Sequence, residues 1–478
     1  MTEIDFLSSR FQKAVSNIQS RAERFPDDPI LLRQSFVDMG LLEQLTNNRN
    51  QVVTGRRGTG KSHLLRAMES DILREGGLYY FLDCRELGSG PLSVFGDSST
   101  VIGSRWYGSM IKRITSFAFD EVLRRETLSD AQKDSATDPL NQISDLLLEH
   151  KYADIGRCFE KYLGKLGAKY FTIVFDEWVQ IPKEAQPYTA ELLKRTFIAT
   201  KTINFKIAAI PLYTKFMCRT ANERAGLEVG ADVFADLDLD TFLIYDKNKE
   251  AVERFYADVL FRHLNLGDGL DYKTTHDWIV RNCFTRRDAF QEMVRAAEGV
   301  PRDFLHIFVH SYRDAFRDRA QHQKISLPII RKAAEKWYLD DKFESVREAT
   351  GLTKLLQAII DEVLAGKRAR MFIIEQEMSG HPLIMQLIDA RLLHLVRRGW
   401  AHKENPGARY DVMAIDYGAY ASRINTASQP ELELLNLNHE SIKEGEMVVP
   451  FDDMRAIRRV ELKREFLSRF EVEGDSER

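Results

Sequence analysis

"TGRRGTGKSHLL", residues 54–65, gathers Gly55, Gly58 and Gly60 with Arg56, Arg57 and Lys61 between two apolar runs. Glycine lets a backbone curl until several N–H groups face one anion. Gly55-Arg56-Arg57-Gly58-Thr59-Gly60-Lys61-Ser62 fits GxxxxGK[ST], the pattern of a loop that cradles the β- and γ-phosphates of a nucleotide. Lys61 adds a full charge at those oxygens, and the Ser62 hydroxyl can coordinate Mg2+. The helix predicted to start near Lys61 presents the positive end of its dipole to the same anion. "QVVT" (51–54) before the loop reads as a strand and "KSHLLRAMESDIL" after it as a helix. Residues Gly55 to His63 are therefore the candidate ATP ligands. A glycine-rich turn that merely caps a helix is the competing reading.

A nucleotide held with Mg2+ needs a carboxylate near the metal. "FTIVFDEW" (171–178) is an apolar strand ending in Asp176 and Glu177. In open α/β sheets the carboxyl edge of the strands is where ligands bind. Asp176 is the candidate to hold hydrated Mg2+ alongside Ser62. Glu177 is the candidate general base for an attacking water. An acidic strand end without a metal is the alternative.

Around these motifs the chain alternates strands and helices. "LYYFLDC" (78–84), "KYFTIVFDE" (169–177) and "FKIAAIPL" (205–212) read as strands. Residues 104–166 read as mostly helical, interrupted by the polar "LSDAQKDSATDP". Such alternation implies a parallel sheet covered on both faces. One amphipathic helix is expected over residues 4–24. From 248 to 342 the pattern is helical throughout, and 344–365 is one further helix. "MFIIEQ" (371–376) follows as a strand, then an apolar-periodic helix from Pro382 to Arg398, then two short strands about the turn Glu404–Gly407. The tail from about 425 is polar and ends in a charged helix near 451–470.

Bulk composition is that of an ordinary globular chain: 478 residues, 44% hydrophobic, 29% charged, formal net charge −4. There is no global basic signature of nucleic-acid binding, although one local basic face would suffice. Cys84, Cys158, Cys218 and Cys283 lack CxxC spacing, which argues against a zinc ribbon or a disulfide framework. With no signal-peptide pattern and no apolar run near 20 residues, a cytoplasmic protein without membrane contact is expected.

A third motif lies in the helical region. "EGVPRDFL" (298–305) sets Pro301 and Arg302 in a first helical turn, where Arg302 could reach a γ-phosphate. The P-loop, the "VFDE" strand and this GxPR helix, in that order, resemble AAA+ ATPases. The likeness is to the origin-recognition-complex-like clade, in which a winged helix follows the lid. "SFVDMGLLEQL" resembles the segment that precedes the first strand in that clade. "DEWVQIPKEAQPYTAELLKRTF", "FKIAAIPL" and "GLEVGADVFADLDLD" resemble a prokaryotic branch often encoded in mobile or defence gene clusters. The resemblance spans roughly residues 34–420.

The resemblance implies an α/β P-loop AAA+ core with a parallel sheet, a helical lid and a C-terminal winged helix. The expected division is an N-terminal helical segment 1–48, a core 49–246, a lid 247–342, a winged helix 343–424 and a tail 425–478. It implies Lys61 and Ser62 as Walker A, Asp176 and Glu177 as Walker B, and Arg302 as sensor 2. A polar sensor 1 residue normally ends the fourth strand. Here Pro211 and Leu212 come first, and Thr214 is the nearest polar candidate. An arginine finger acting in trans would be Arg219 or Arg224, and it would make the active form a homo-oligomer.

DNA contact by the winged helix would use Arg391, Arg397, Arg398, Lys403 and Arg409, with Lys367, Arg368 and Arg370 from "GKRAR". Over 351–423 basic residues exceed acidic ones by only two. Affinity for DNA scales with phosphates neutralised, so docking of a partner effector protein stays open beside DNA binding. Other constellations are weaker. His306 and His310 share a helical face without a third zinc ligand. His276 and Asp277 lack companion histidines. Asp453, Glu461 and Lys463 have a nuclease-like D…ExK order, but that chemistry wants the ExK on a strand, and the segment reads as a helix. The function expected is an ATP-dependent switch. A non-hydrolysing ATP-bound adaptor and a replication-initiator-like DNA-binding ATPase are the alternatives.

Overall fold

The computed structural model describes residues 6–18, 29–87, 97–211, 213–219, 224–243, 245, 248–266, 276–318, 323–366, 369–401, 407–421 and 460–471. The chain divides into two compact units. One comprises Ala22–Gly55 and Gly60–Leu239, the other Met1–Arg21, Arg56–Thr59 and Asp240–Arg478.

The first unit is built on strands. β1 (Gln51–Thr54), β2 (Leu78–Asp83), β3 (Phe171–Asp176), β4 (Ile203–Ala209), β5 (Met217–Arg219), β6 (Arg224–Gly226) and β7 (Phe234–Asp238) follow in chain order. A five-stranded sheet runs β2-β3-β4-β1-β7, and all its pairings are parallel. β3 and β4 are buried along their whole length, as strands covered on both faces must be. The register pairs Asp83 with Asp176 and Thr54 with both Ala209 and Asp238. The carboxyl ends of the strands thus form one edge, with the glycine-rich loop leaving from β1.

Two sequence expectations change here. The polar stretch after residue 128 does not interrupt the helices but forms one, Asp130–Asn141. Ser129 and Gln132 close a capping box at its start: the Ser129 N–H donates to Gln132 Oε1 (2.9 Å) and the Gln132 N–H to Ser129 Oγ (3.4 Å). Only a narrow stripe of Ala136, Pro139 and Leu140 is buried. The acidic run that contains β7 carried no strand signal, because Asp disfavours strands. β7 forms as an edge strand, where only one neighbour is needed. In β4, Lys206 is fully buried, and its ammonium donates to Gln51 Oε1 (2.6 Å), Arg49 O (2.7 Å) and Asn47 O (3.0 Å). That set of acceptors is what makes a charge in a central strand tolerable.

The second unit is mainly helical. Its first described helix is Ser9–Ser16, capped by Ser8; the rest of the expected 4–24 helix lies largely outside the described residues. Lys249–Leu264, His276–Cys283, Arg287–Ala296, Pro301–Arg317 and Leu327–Trp337 follow. Phe6 and Phe11 pack on Tyr312, whose hydroxyl donates to Phe6 O (3.1 Å).

The single helix expected over 344–365 is interrupted. A short 3-10 turn, Glu344–Val346, precedes the helix Thr350–Ile360, which widens into π-helical turns over Asp361–Gly366. β8 (Met371–Glu375), β9 (Leu393–Ala401), β10 (Arg409–Ile415) and β11 (Glu461–Leu462) form a sheet in the order β11-β8-β10-β9. The helix expected from Pro382 to Arg398 stops at Asp389. Arg391 takes a left-handed conformation (φ 63°), and β9 begins two residues later, antiparallel to β10. A short apolar run such as "LLHLV" fits a buried strand as well as a helix. Glu461 also lies on a strand, β11, parallel to β8, and not on the expected helix. The helix begins only at Arg464.

Among the described residues, no helix is long and apolar enough to cross a membrane. All four cysteines are free, and Cys84, Cys158 and Cys283 are buried.

Candidate nucleotide site

The loop after β1 has the backbone its glycines allow. Gly58 (φ 84°) and Gly60 (φ 99°) are both left-handed, a conformation L side chains rarely adopt. The Gly60 carbonyl accepts from the Leu64 N–H at 2.8 Å, which starts the helix Lys61–Ala67. Lys61 is 9% exposed and its Nζ donates to Gly55 O at 2.7 Å. The ammonium folds back on the loop's own carbonyl. Thr59 Oγ1 closes the turn on Arg56 O at 2.9 Å.

Asp176 ends β3 and is 2% exposed. The Ser62 side chain hydrogen-bonds to it, so the two residues expected to share Mg2+ are together. Its Oδ2 has no hydrogen-bond partner. Burial raises the Asp176 pKa, with the Ser62 hydrogen bond and nearby Lys61 opposing the rise. A buried carboxylate with one unpartnered oxygen is costly unless a cation completes it. These donors fit a hard divalent ion that keeps several waters, as Mg2+ does. Glu177 sits immediately beyond in the left-handed region (φ 53°, ψ 41°). A non-glycine residue held there stores backbone strain, and such strain clusters at working sites.

Strand order explains the sensor 1 position. β4 lies between β1 and β3, so its end falls between the loop and Asp176. That end is Ala209, Ile210 and Pro211, and the Thr214 hydroxyl is spent on Ile210 O at 3.1 Å. Leu212 lies outside the described residues. His63 Nε2 meets Ser35 Oγ (2.9 Å) and Leu32 O (3.2 Å), with its ring edge-on to Phe36. Burial lowers its pKa to about 4, so the ring is neutral at pH 7.

The side chains of the two loop arginines are engaged by other parts of the chain. Arg56 is 6% exposed. Its Nε meets Asp240 Oδ1 at 2.7 Å, its backbone N–H meets Asp240 Oδ2 at 3.0 Å, and Nη2 donates to Glu298 O at 3.1 Å. Nη1 meets His394 Nδ1. Arg57 Nε pairs with Asp389 Oδ1 at 2.8 Å. Of the three loop cations, Lys61 bonds within the loop, to Gly55 O, while Arg56 and Arg57 reach residues far away in the chain. The Arg302 N–H donates to Gly58 O (3.4 Å). A Cβ at Gly58 would lie 2.8 Å from Val300 Cγ1 and 3.0 Å from Arg302 Nε. The GxPR turn is therefore packed on residue 58 of the loop.

The remaining candidates separate clearly. Arg219 and Arg224 face each other across β5 and β6, on strands, and both pair with Glu228; both side chains are more than half exposed. Arg391 is corrected as a DNA contact. It is 7% exposed, and its guanidinium is taken by Asp303 and Asp341. Arg397 and Arg398 are exposed, but on β9 and not on a recognition helix, and Arg409 is exposed at the start of β10. Lys403, Lys367 and Arg368, most of the turn Glu404–Gly407, and Asp453 lie outside the described residues. Arg370 pairs with Glu298 at 2.8 Å. His306 stacks on Trp337 with ring centroids 4.0 Å apart. Among the described residues no group of three or more His, Cys, Asp or Glu side chains could hold a metal ion.

Sequence reasoning missed the acceptors of Arg56. Asp240, Glu298 and His394 lie 184, 242 and 338 residues away, and no spacing pattern joins them.

Comparison with known proteins gives a sequence match and several distant structural ones. The ORC-CDC6-like family model matches residues 19–76. No curated protein sequence is significantly similar to the chain. Among solved structures, the chain is similar to the Aeropyrum pernix ORC1 protein in complex with DNA, at 13% identity and TM-score 0.35, over 86% of this chain and 96% of that one. It is similar to the Thermotoga maritima RuvB Holliday junction branch migration motor at 12% identity and TM-score 0.33, over 85% and 97%. Drosophila ORC bound to DNA matches at 12% identity and TM-score 0.27, over 79% and 91%. The chain thus resembles the ORC-CDC6-like AAA+ ATPases, through the sequence of residues 19–76, the segment that carries β1 and the phosphate loop.

Proposed function

We propose that the chain binds ATP with Mg2+ and hydrolyses it, as a switch that governs self-association and engagement of DNA, of a partner effector protein, or of both. One observation carries this reading: Lys61 curls over the loop while Asp176, hydrogen-bonded to Ser62, keeps a buried, unpartnered oxygen. Lys61 and the loop N–H groups would hold the phosphates, and Ser62 and Asp176 the hydrated metal. Mg2+ would neutralise charge between the phosphates when bound. Glu177, strained at the strand end, would orient and deprotonate water. Arg302, packed on Gly58, would serve as sensor 2. Arg219 or Arg224, both exposed, would supply a finger to a neighbouring subunit. Arg397, Arg398 and Arg409 would carry any DNA contact made by a winged helix over 343–424. The division into a core, a lid and that winged helix, the cytoplasmic setting, and an effector encoded in a mobile or defence gene cluster all belong to the same proposal.

A second reading has one observation of its own. β4 ends in Ala209, Ile210 and Pro211, with the Thr214 hydroxyl already bonded. Without a polar group there, the chain would be an adaptor that holds ATP and does not turn it over. ATP turnover by wild type and Glu177→Gln, with and without double-stranded DNA and across protein concentration, separates the readings. Turnover that rises with concentration and DNA and vanishes in the variant supports the switch. ATP binding with no turnover above a Lys61→Ala control supports the adaptor. An initiator would instead bind a specific DNA sequence through moderate salt.

A further inference from the structure

The loop arginines lead into a buried chain of charge. His394, which meets Arg56 through Nδ1, meets Asp416 Oδ2 through Nε2 at 2.8 Å. Asp416 Oδ2 pairs with Lys342 Nζ at 2.6 Å, and Lys342 Nζ lies 3.0 Å from Asp303 Oδ2. Asp303 Oδ1 pairs with Arg391, which also holds Asp341. From Arg56 to Arg391 no side chain in this series is more than 10% exposed. A second, outer link joins Arg57 to Asp389. All these residues belong to one compact unit.

Both links end on one short segment. Asp389 closes the helix Pro382–Asp389, Arg391 is the left-handed residue after it, and His394 is the second residue of β9. Arg56 donates through Nε to Asp240 and through Nη2 to Glu298 O, and its Nη1 meets His394, so all three guanidinium nitrogens are engaged. Any shift of residues 56 and 57 must therefore break these contacts or carry the segment with it. Buried ion pairs add little stability over apolar packing, and their best attested use is to fix one arrangement against another. Lys61 donates to Gly55 O, and Arg56 and Arg57 lie in the loop between those two residues.

We propose that Arg56 and Arg57 are positioning residues, not phosphate ligands, and that they transmit occupancy of the phosphate loop to residues 389–401 through Asp389 and the Arg56–His394–Asp416 series. This rests on the loop binding nucleotide, as proposed above. It adds the route by which binding is felt in the C-terminal sheet.

The test is hydrogen exchange on the full chain with and without Mg2+ and ATP, alongside ATP affinity, for wild type, His394→Gln, Asp389→Ala and Lys61→Ala. In wild type, saturating ATP changes amide exchange in residues 389–401 by at least about fivefold, the lower end of ordinary coupling between sites. His394→Gln keeps ATP affinity close to wild type and loses that response. Asp389→Ala, a surface change that leaves the buried series intact, loses part of it. ATP binding without a response in wild type, or a full response in both variants, overturns the relay and leaves nucleotide binding standing. A wild type that binds ATP no better than Lys61→Ala overturns both. If His394→Gln fails to fold, Asp389→Ala decides: a partial loss of the response supports the relay, and a full response overturns it as proposed, because the proposal requires transmission through Asp389.

Discussion

Asp176 and Asp303 are both buried carboxylates, 2% and 0% exposed, one in each unit, and the protein treats them in opposite ways. Asp303 has a cation at each oxygen, Arg391 at Oδ1 and Lys342 Nζ 3.0 Å from Oδ2, although Oδ2, like that of Asp176, makes no well-formed hydrogen bond. Burial pushes its pKa up, but Lys342, Arg391 and Arg302 outweigh burial and hold it well below the usual carboxylate range. Asp176 has the Ser62 hydroxyl on one side and nothing on Oδ2, and burial leaves its pKa raised. Burying a charge is tolerable when its partners are built into the fold. The Asp303 cluster brings its own partners, and Asp176 is left short of one. That shortfall is the observation on which the proposed Mg2+ site rests.

The contrast can be broken in several ways. The largest effect is expected at chemistry: Glu177→Gln should keep ATP binding and lower turnover by about 10²–10⁴-fold, the usual contribution of a general base. Single-turnover phosphate release would check it, and near-normal turnover would remove Glu177 from the mechanism. Next in size, Lys342→Met should destabilise the helical unit by about 3–5 kcal/mol, because it strands Asp303 and Asp416 together. Denaturant unfolding measures this, and a change under about 1 kcal/mol would show that the cluster relaxes freely.

Gly58→Ala should cost about 1–3 kcal/mol, from positive φ and the approach to Val300. Thermal melting would show it. Asp176→Asn should go the other way: without nucleotide it should melt slightly higher than wild type, by about 1 kcal/mol, and lose Mg2+-dependent ATP binding. A lower melting point would mean that Asp176 is structural, like Asp303.

The smallest effect is the response to acid. Burial lowers the pKa of both His63 and His306 to about 4. With an unfolded value near 6.5, the unfolded chain binds more protons between these values. Both units should therefore lose stability as pH falls from about 6.5 to 4. Below that range Asp303 adds a further loss, since its stabilisation is present above the unfolded carboxylate pKa and disappears as the folded form protonates. Asp176, with its pKa raised, contributes the opposite sign. Unfolding midpoints against pH for wild type and Asp303→Asn would separate the terms.

Much of the parallel sheet was legible. β2 and β3 are almost wholly apolar runs, β1 and β4 are apolar runs that also carry Gln51, Asn204 and Lys206, and each strand overlaps its expected stretch with ends shifted by a few residues. β7 was not, because "FADLD" carries aspartates that argue against a strand until β1 offers an edge. The segment around Arg391 was misread for a related reason. "PLIMQLIDARLLHLV" is apolar on a helical period, and only the left-handed turn at Arg391 and the pairing with β10 divide it into helix and strand. The capping box at Ser129 was present in the sequence as S-x-x-Q, and it outweighs the polarity of the residues that follow.

The sequence by itself determined the phosphate loop and the carboxylate strand. Their chemistry is one-dimensional: glycines at fixed steps set the curl, Lys61 and Ser62 follow them directly, and Asp176 must end an apolar strand. Tertiary structure alone decided what the two arginines in that loop do. Position in the motif suggested phosphate. Their partners Asp240, His394 and Asp389 lie 184 to 338 residues away; the buried Arg56 guanidinium goes to the carboxylates and acceptors the fold brings within reach, because leaving it unpaired is costly, while the exposed Arg57 pairs with Asp389 at the surface.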